Sequence, residues 1–345
     1  MNPKSEFDRI NALKRAFASV RSPAELVGNG DDGAVLRVDG DLVVTTDALV
    51  EGVDFGAFAP WDAVGRKAIA VNASDLAAMG AAPLAFVWSV CAPRAFSDGA
   101  WEQLGAGAAL AAQECALPCV GGDISRTEGP LALSVTALGT VPPGQALRRH
   151  GARPGHGIYL SGECGWAAAG LELLLPRTSR PDSLDALMSS LGDAQSRRAA
   201  WAQLAPCPHL AAGQALRGTA SACVDVSDGL MQDLAHLLVL SGVGAALEAD
   251  ALPIASILQG RPDALAKALS GGEDFVLLFT AADAEAVARV SARLRQPLTR
   301  IGTVVAEQTL SLGPVTLPGD DVERLHRGQL PQHQGAAAWL GWRHF

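Results

Sequence analysis

The segment from Val64 to Gly80 constrains the fold of this chain more than any other stretch. If it forms a helix, one stripe along that helix contains, at i, i+4, i+7, i+11 and i+14, Val64, Ala68, Val71, Asp75 and Ala78. Asp75 therefore lies in line with the apolar side of the helix. Burying a carboxylate costs on the order of several kcal/mol unless a cation meets it. Either the helix lies at a domain edge, where Asp75 reaches water or caps a neighbour, or Asp75 faces a binding cleft.

The length of the chain predicts two domains. It has 345 residues, of which 49% are hydrophobic and 5% aromatic, so it is globular in composition and too long for one ordinary core. The best candidate boundary is the Pro-Gly turn Val141–Gly144. We therefore expect one domain over residues 1–142 and a second over residues 143–345.

The net charge of −9 argues against nucleic acid or an anionic membrane as a partner. An anionic ligand such as a phosphate ester would need metal cations to mediate its binding. Residues 1–20 are charged and lack an apolar core, so we expect no signal peptide, and no run approaches the roughly 18 apolar residues of a membrane helix. Six scattered cysteines, without a second close pair to complete a zinc site, predict reduced thiols in a cytoplasmic protein.

Six aspartates occupy turns, strand ends or a helix face in five separate segments of the chain. Taken singly, each has an ordinary explanation, such as a solvated Asn-Gly hairpin turn, a tight Gly-Gly-Asp turn or a helix N-cap. One helix needs only one N-cap, however, so capping cannot account for Asp225, Ser227 and Asp228 together. The six are Asp32, Asp47, Asp75, Asp123, Asp225 and Asp228.

If these aspartates converge, divalent cations must fill the site or water must enter it. Six uncompensated carboxylates in a dry cleft would cost more than the roughly 5–15 kcal/mol that stabilises a domain. Ligation by oxygen alone favours Mg²⁺ or Mn²⁺ over zinc. Several Mg²⁺ ions beside glycine-rich turns describe an ATP site, here without a Walker loop.

Three further segments have no settled role, and two of them allow alternative interpretations. The basic loop Arg148–Gly155 is either a solvated linker or a phosphate clamp. Residues 177–200 are polar and are expected to form a surface insertion. The aromatic tail, residues 339–345, either packs on a core or covers a flat heterocycle.

Several motifs together resemble the thiamine-monophosphate kinase family. They occur in the order typical of that family and cover nearly the whole chain. The wider superfamily, which includes aminoimidazole ribonucleotide synthetase, shares the Gly-Asp-Asp and Gly-Gly-Asp elements, whereas the Asn-x-Ser-Asp and Ser-Gly-Gly-Glu-Asp runs are more specific to the kinase. The motifs are Gly30–Asp32, Thr45–Val53, Lys67–Gly80, Gly121–Asp123, Asp225–Leu230 and Ser270–Asp274.

The resemblance implies an α/β (α+β) fold of two domains, in which N-terminal domains pair into a β-barrel dimer and an α/β domain follows. It implies that residues 1–142 bind metal and ATP and form the homodimer, while residues 143–345 supply substrate-side groups. The implied reaction transfers the γ-phosphate of ATP to thiamine monophosphate in the presence of Mg²⁺. The product would be thiamine diphosphate.

The positions that match the motifs of the family indicate which residues of this chain would form the site. The implied metal ligands are Asp32, Thr45, Thr46, Asp47, Asp75, Asp123, Asp225 and Asp228. The implied ATP contacts are Gly122, Asp123, Arg149 and Ser227. On the substrate side, Glu273 and the tail aromatic Trp342 would hold the thiamine moiety, whose cationic ring would gain roughly 0.5–2 kcal/mol over an indole.

Two positions depart from the pattern of the family. Asp54 stands where the family usually has His at a position linked to substrate; an acid there could face the cationic thiazolium ring but would repel the phosphate. His156 stands where the family commonly has Asp after Pro-Gly.

No general base is expected, because the acceptor phosphate has a second pKa near 6 and is mostly deprotonated at neutral pH. The catalytic task is to screen two polyanions and align an in-line displacement. Selenophosphate synthetases and hydrogenase-maturation proteins need a reactive cysteine near one end, whereas here the first cysteine is Cys91 and the chain ends in Phe345. Another ATP-dependent enzyme of the superfamily, or a non-catalytic nucleotide-binding dimer, remains the alternative.

Overall fold

The computed structural model describes residues 6–20, 22–27 and 33–332. A four-stranded sheet is built from residues 41–141, and a seven-stranded sheet is built from residues 157–317. Helices pack on each sheet and bury a core of Leu, Val, Phe and many Ala side chains. The predicted α/β class is confirmed.

The first half of the described chain alternates helices with strands, as its apolar periodicity predicts. The helical spacing of apolar residues within 5–20 and the β-branched run of residues 42–50 predict a helix and a strand, and both are present. Its elements are α1 (Glu6–Ala16), β1 (Glu25–Val27), β2 (Val35–Leu36), β3 (Asp41–Val50), α2 (Trp61–Ala78), β4 (Ala82–Pro93), α3 (Asp98–Glu114), β5 (Cys119–Thr127) and β6 (Ala132–Val141).

The second half continues with short buried strands and helices of 7 to 12 residues. Two short 3-10 helices, Ala249–Ala251 and Ser256–Leu258, follow β9. The elements are β7 (Gly157–Leu160), α4 (Trp166–Leu174), α5 (Leu184–Ser190), α6 (Ala194–Leu204), α7 (Leu210–Leu216), β8 (Ala222–Asp225), α8 (Leu230–Ser241), β9 (Gly244–Leu247), α9 (Ala264–Ser270), β10 (Leu277–Ala281), α10 (Ala284–Leu294), β11 (Thr299–Val305), β12 (Leu310–Leu312), β13 (Val315–Leu317) and α11 (Gly319–His326).

The four-stranded sheet is open at both edges. Its order is β3-β6-β4-β5, with β4 and β5 parallel and the other pairs antiparallel. Within the described residues no closed barrel is formed, so one chain by itself does not contain the barrel that the family resemblance implies. The face of β3 that points away from α2 is exposed and includes Leu42 and Val44.

Helix α2 lies at the centre of the molecule and contacts both halves. Of its 18 residues, 15 are buried, so the predicted helix is present but is enclosed on nearly all sides and not along one stripe. Close approach depends on glycine: a Cβ at Gly107 of α3 would lie 1.8 Å from Asp62 O, and one at Gly213 of α7 would lie 1.9 Å from Ala77 O. The helix ends where Gly80 adopts a left-handed φ of 67°.

Two ordinary interpretations of the sequence differ from the structure. Gly229 occupies the N-cap of α8 with no side-chain cap, so helix capping, the ordinary explanation for Ser227 or Asp228, does not apply to either. Residues 177–200 are not merely a polar insertion, because α5 and α6 bury Leu184, Leu187 and other side chains in the core that includes α2 and α3.

All six cysteines lie in the described ranges, and none is in a disulfide. Across residues 6–20, 22–27 and 33–332, no helix combines the length and apolar character needed to cross a membrane.

Candidate active site

Asp47 and Asp75 meet where strand β3 lies beside helix α2. Side chains alternate along a strand, so Thr45 and Asp47 face the helix together. Thr45 Oγ1 donates a hydrogen bond to Asp75 Oδ2 at 2.5 Å. The backbone N–H of Asp47 donates to Asn72 Oδ1 at 3.1 Å. Two carboxylates from different elements are therefore held side by side.

Asp225 approaches the same place from the end of strand β8. Ser74 Oγ donates to Asp225 Oδ2 at 2.6 Å and thereby joins α2 to the seven-stranded sheet. Asp225 is only 3% exposed. Burial, and then the charge of Asp75, raise its pKa to about 7.

Asp228 and its neighbours extend the group at the start of α8. The backbone N–H of Asp228 donates to Asp233 Oδ2 at 3.0 Å. One ligand atom from each of Asp228, Asp233 and His236 lies within 4.8 Å of the others, a spacing that could hold a metal ion. His236 Nδ1 in turn lies 2.9 Å from His326 Nδ1.

The carboxylates repel one another in the absence of a cation. Desolvation, followed by the charges of Asp75 and then Asp228, raises the pKa of Asp47, although solvent still reaches this side chain. Desolvation also raises the pKa of Asp75. Since the donors are carboxylate and hydroxyl oxygens, the arrangement fits Mg²⁺ or Mn²⁺. We use the name carboxylate cluster for Asp47, Asp75, Asp225 and Asp228.

Arg149 is close enough to the carboxylate cluster to lower the pKa values of both Asp75 and Asp225. The main chain beside it is fixed, because Cys223 N–H donates to Arg148 O at 2.8 Å. Arg149 itself is exposed. Its guanidinium is thus a solvent-accessible cation beside the acids, and a guanidinium can bind phosphate oxygens.

Two predicted ligands do not join the carboxylate cluster within one chain. The hydroxyl of Thr46 donates to Val135 O at 2.9 Å, on the side of β3 that faces away from α2. Asp123 lies with Gly122 on β5, at the other edge of the sheet. The strand register aligns Asp123, through β4 and β6, with Ala48, the neighbour of Asp47. Asp123 is therefore level with the carboxylate cluster along the strands, but three strand spacings, roughly 14 Å, separate β5 from β3.

The Glu273 side chain has partners outside the carboxylate cluster, and both of its oxygens face donors. Its Oε1 is 2.6 Å from Lys67 Nζ, and its Oε2 accepts a hydrogen bond from Gln203 Nε2. Its backbone N–H donates to Ser227 O at 2.7 Å, which ties Glu273 to the predicted ATP-side residue. The residue has a left-handed φ of 68°.

A cavity of about 340 Å³ opens beside Glu273. Gln203, the turn Ser270–Glu273 and the ion pair of Glu172 with Lys267 form its polar side, and aliphatic residues, including Leu171 of α4, form much of the rest. Its volume lies in the range that small organic ligands occupy. The cavity could therefore accept an aromatic heterocycle next to a carboxylate.

The remaining predicted site residues divide into two groups. Asp54 is described, and its Oδ2 accepts a hydrogen bond from Val50 N–H at 2.7 Å, so the carboxylate closes its own turn. The charge of Asp54 still reaches Asp47. Asp32 and Trp342 lie outside the described residues.

Asp233 and Lys67 were missed by sequence reasoning although a usable signal existed. Asp233 falls three residues after Leu230 and four before Leu237, on the apolar stripe of α8. Lys67 is 3% exposed in the middle of a small-residue helix. A charged residue in line with an apolar face, the criterion that selected Asp75, selects Asp233 as well.

The chain matches two family models that together span most of its length. The model of the AIR synthase related protein, N-terminal domain, matches residues 30–141, and that of the C-terminal domain matches residues 153–313. These matches define the class as AIR synthase related proteins. They agree with the mixed α/β content and the two sheets.

Curated and solved relatives narrow the class. Thiamine-monophosphate kinase of Salmonella typhimurium is 37% identical over 86% of this chain and 90% of its own length. The crystal structure of thiamine-monophosphate kinase from Stenotrophomonas maltophilia K279a has a TM-score of 0.79 at 38% identity and covers 90% of this chain and 96% of its own. AaThiL, solved in complex with AMPPCP and TMP, has a TM-score of 0.70 at 27% identity, covering 99% of this chain and 97% of its own. The chain belongs to the thiamine-monophosphate kinase family.

Proposed function

We propose that this protein transfers the γ-phosphate of ATP to thiamine monophosphate and produces thiamine diphosphate and ADP. The observation that carries the proposal is the carboxylate cluster, in which side chains from β3, α2, β8 and the turn before α8 lie close enough to raise one another's pKa values. The proposed reaction follows the name of the relatives, thiamine-monophosphate kinase. The two proposed substrates are supported by AaThiL, which was solved in complex with AMPPCP and TMP.

The carboxylate cluster, with Thr45, would hold several Mg²⁺ ions, and Mn²⁺ would fit the same oxygen donors. When bound, these ions would screen the charge between the two phosphate groups that react. The protein itself supplies the rest of the chemistry. Thr45 and Ser74 orient two of the carboxylates through the hydrogen bonds described above.

Arg149 and Ser227 would contact the nucleotide phosphates, the first by charge and the second by its hydroxyl. No residue needs to remove a proton, because the acceptor is already an anion at neutral pH. Catalysis then depends on bringing the two substrates together in line.

The cavity beside Glu273 is the proposed thiamine site. Its aliphatic side would bury the rings of the substrate, while Glu273 and Gln203 would fix its orientation. Trp342 would add a face for the cationic ring. Asp54, whose carboxylate already accepts from its own turn, would act on the substrate only through its charge.

A homodimer would explain the position of Asp123 and Gly122. If β5 of one copy lay beside β3 of a second copy, with the two-fold axis parallel to the strands, Asp123 of the first copy would be level with Asp47 of the second. The same pairing would close two open sheets into the β-barrel of the family and cover Leu42 and Val44. The division at residues 142 and 143 is part of the proposal, supported by the matched ranges 30–141 and 153–313.

Mixed dimers test this arrangement directly. Co-expression of Asp75→Asn and Asp123→Asn chains should restore about a quarter of wild-type activity, because half of the dimers are mixed and each contains one intact composite site. Each variant alone should be inactive. Inactivity of the purified mixed dimer would contradict the composite site.

The reaction is tested by a coupled assay of ADP release with thiamine monophosphate, ATP and Mg²⁺. Release of ADP together with formation of thiamine diphosphate is the expected result. Nucleotide binding without ADP release would favour the non-catalytic nucleotide-binding dimer instead. The cytoplasmic location is likewise proposed, and six cysteines free of disulfides support it.

A further inference from the structure

Lys67 forms an ion pair that links the two halves of the molecule. The side chain is 3% exposed, and its Nζ lies 2.6 Å from Oε1 of Glu273. The same ammonium donates to Asp54 O at 3.3 Å. A single buried cation on α2 therefore contacts both the turn after β3 and the segment that enters β10.

Lys67 depends on these partners, because a buried ammonium is stable only where other groups replace the water that it loses. Glu273 is the only acidic partner that Lys67 has among the described residues. The carboxylate of Glu273 is 13% exposed and is also bound by Gln203. Both of its oxygens are consequently held, on a backbone already fixed by Ser227 O.

We propose that Lys67 is the positioning residue of the thiamine subsite: it fixes the Glu273 carboxylate at the wall of the cavity and holds the main chain at Asp54. The inference rests on the proposed function, since it assigns Glu273 to the thiamine side. Lys67 contacts no residue of the carboxylate cluster in the described chain. It acts on binding of thiamine monophosphate and not on binding of ATP.

The reason is geometric. Without Lys67, one oxygen of Glu273 loses its charged donor, and the carboxylate is free to turn into the cavity that the heterocycle needs. Loss of one charged hydrogen bond changes a binding constant by roughly tenfold or more. The effect should therefore appear as a higher KM for thiamine monophosphate.

The experiment compares Lys67→Met with a matched control, Arg66→Met. Arg66 is the preceding residue of α2 and is also buried, but it pairs with Glu114 at 2.5 Å, away from Glu273. Lys67→Met should raise the KM for thiamine monophosphate roughly tenfold or more while changing the KM for ATP less than about twofold. Arg66→Met should leave both values near those of the wild type, and Lys67→Arg should recover part of the loss.

The outcomes separate this inference from the proposed function. Equal rises in both KM values for Lys67→Met, or the same rise for Arg66→Met, would show a merely structural role and overturn the inference. If Glu273→Gln raises the KM for thiamine monophosphate and Lys67→Met does not, Glu273 is on the substrate side without needing Lys67. Failure of the wild type to phosphorylate thiamine monophosphate would instead refute the proposed function.

Discussion

The two halves of helix α2 differ in whether their buried charges are paired. We call the half with the Lys67–Glu273 ion pair the balanced end and the half with Asp75 the unbalanced end. In the N-terminal half of the helix, Lys67 and Glu273 neutralise each other inside the protein. Eight residues later, about 12 Å along the helix axis, Asp75 lies among carboxylates whose pKa values are raised. Balanced charge therefore identifies a part of the site that the chain builds by itself. Unbalanced charge identifies a part that depends on added cations.

The largest expected effect comes from removing charge at the unbalanced end. Asp75→Asn should lower kcat by at least roughly a thousandfold, because one metal ligand is lost. The metal-free variant should be as stable as the wild type or more stable, since repulsion falls and the amide oxygen can still accept from Thr45. Activity assays and urea unfolding in chelator check both parts. If the metal-free variant unfolds at a much lower urea concentration than the wild type, Asp75 has a structural role and not the proposed one.

Removing charge at the balanced end should have the opposite effect on stability. Lys67→Met leaves the largely buried Glu273 carboxylate without its cation, and because that carboxylate can turn into the cavity, the free energy of unfolding should fall by about 1–3 kcal/mol. The double variant Lys67→Met/Glu273→Gln should recover part of that loss, because no uncompensated charge remains. Urea unfolding of both variants measures the difference. A double variant no more stable than Lys67→Met would contradict the ion-pair account.

His209, which is not part of helix α2, provides a reference for the pH dependence of stability. His209 accepts hydrogen bonds at Nδ1 from Ser161 Oγ and Gln296 Nε2, and burial lowers its pKa to about 4. The unfolded chain binds this proton more readily, so His209 reduces stability as pH falls from about 6.5 towards 4. Relative to His209→Asn, the wild type should lose roughly 2 kcal/mol by pH 5.

The same measurement also reports on buried carboxylates whose pKa values are raised, among them Asp225 of the carboxylate cluster and Asp274 outside it. In His209→Asn the raised pKa of Asp225, about 7, contributes the opposite sign: the folded state keeps a proton, and stability rises as pH falls from 7. Unfolding curves between pH 7.5 and 5 follow both contributions. An unchanged pH profile in His209→Asn would show that His209 does not control the acid side.

The smallest expected effect is stabilisation by Mg²⁺ without nucleotide. At ten times its dissociation constant the ion should add about 1.4 kcal/mol to the unfolding free energy of the wild type. Lys67→Met should gain a similar increment, whereas Asp75→Asn should gain less. Thermal unfolding at increasing Mg²⁺ concentration gives the three values. Equal gains in all three proteins would place the ion elsewhere.

The sequence predicted the backbone elements of the site better than its side-chain partners. The apolar period of residues 64–80 and the β-branched run before Asp47 are local signals, so α2 and β3 are where they were expected. The pairing of Lys67 with Glu273 joins residues more than 200 positions apart, and no local pattern encodes it. Thr46 was assigned by motif alone, although strand alternation would have turned its hydroxyl away from Asp75.

Helix capping was the ordinary alternative for Ser227 or Asp228, and the structure excludes it. Ser227 and Asp228 have side chains that commonly cap helices, but α8 begins one residue later at a glycine. Instead of capping the helix, Asp228 accepts at Oδ2 a hydrogen bond from Gln232 Nε2 at 3.0 Å. Asp123 was predicted to meet the other aspartates, and a single chain keeps it at the far edge of its sheet.

The enclosure of α2 has a consequence for how the protein denatures. Its Ala77 and Ala78 pack with Phe279 of the seven-stranded sheet, while Ile69 and Leu76 pack in the core of the four-stranded one. Neither half can open without exposing this helix to water. Calorimetry should accordingly record one cooperative melting transition for both halves, and the amide protons of α2 should be among the slowest to exchange with solvent deuterium.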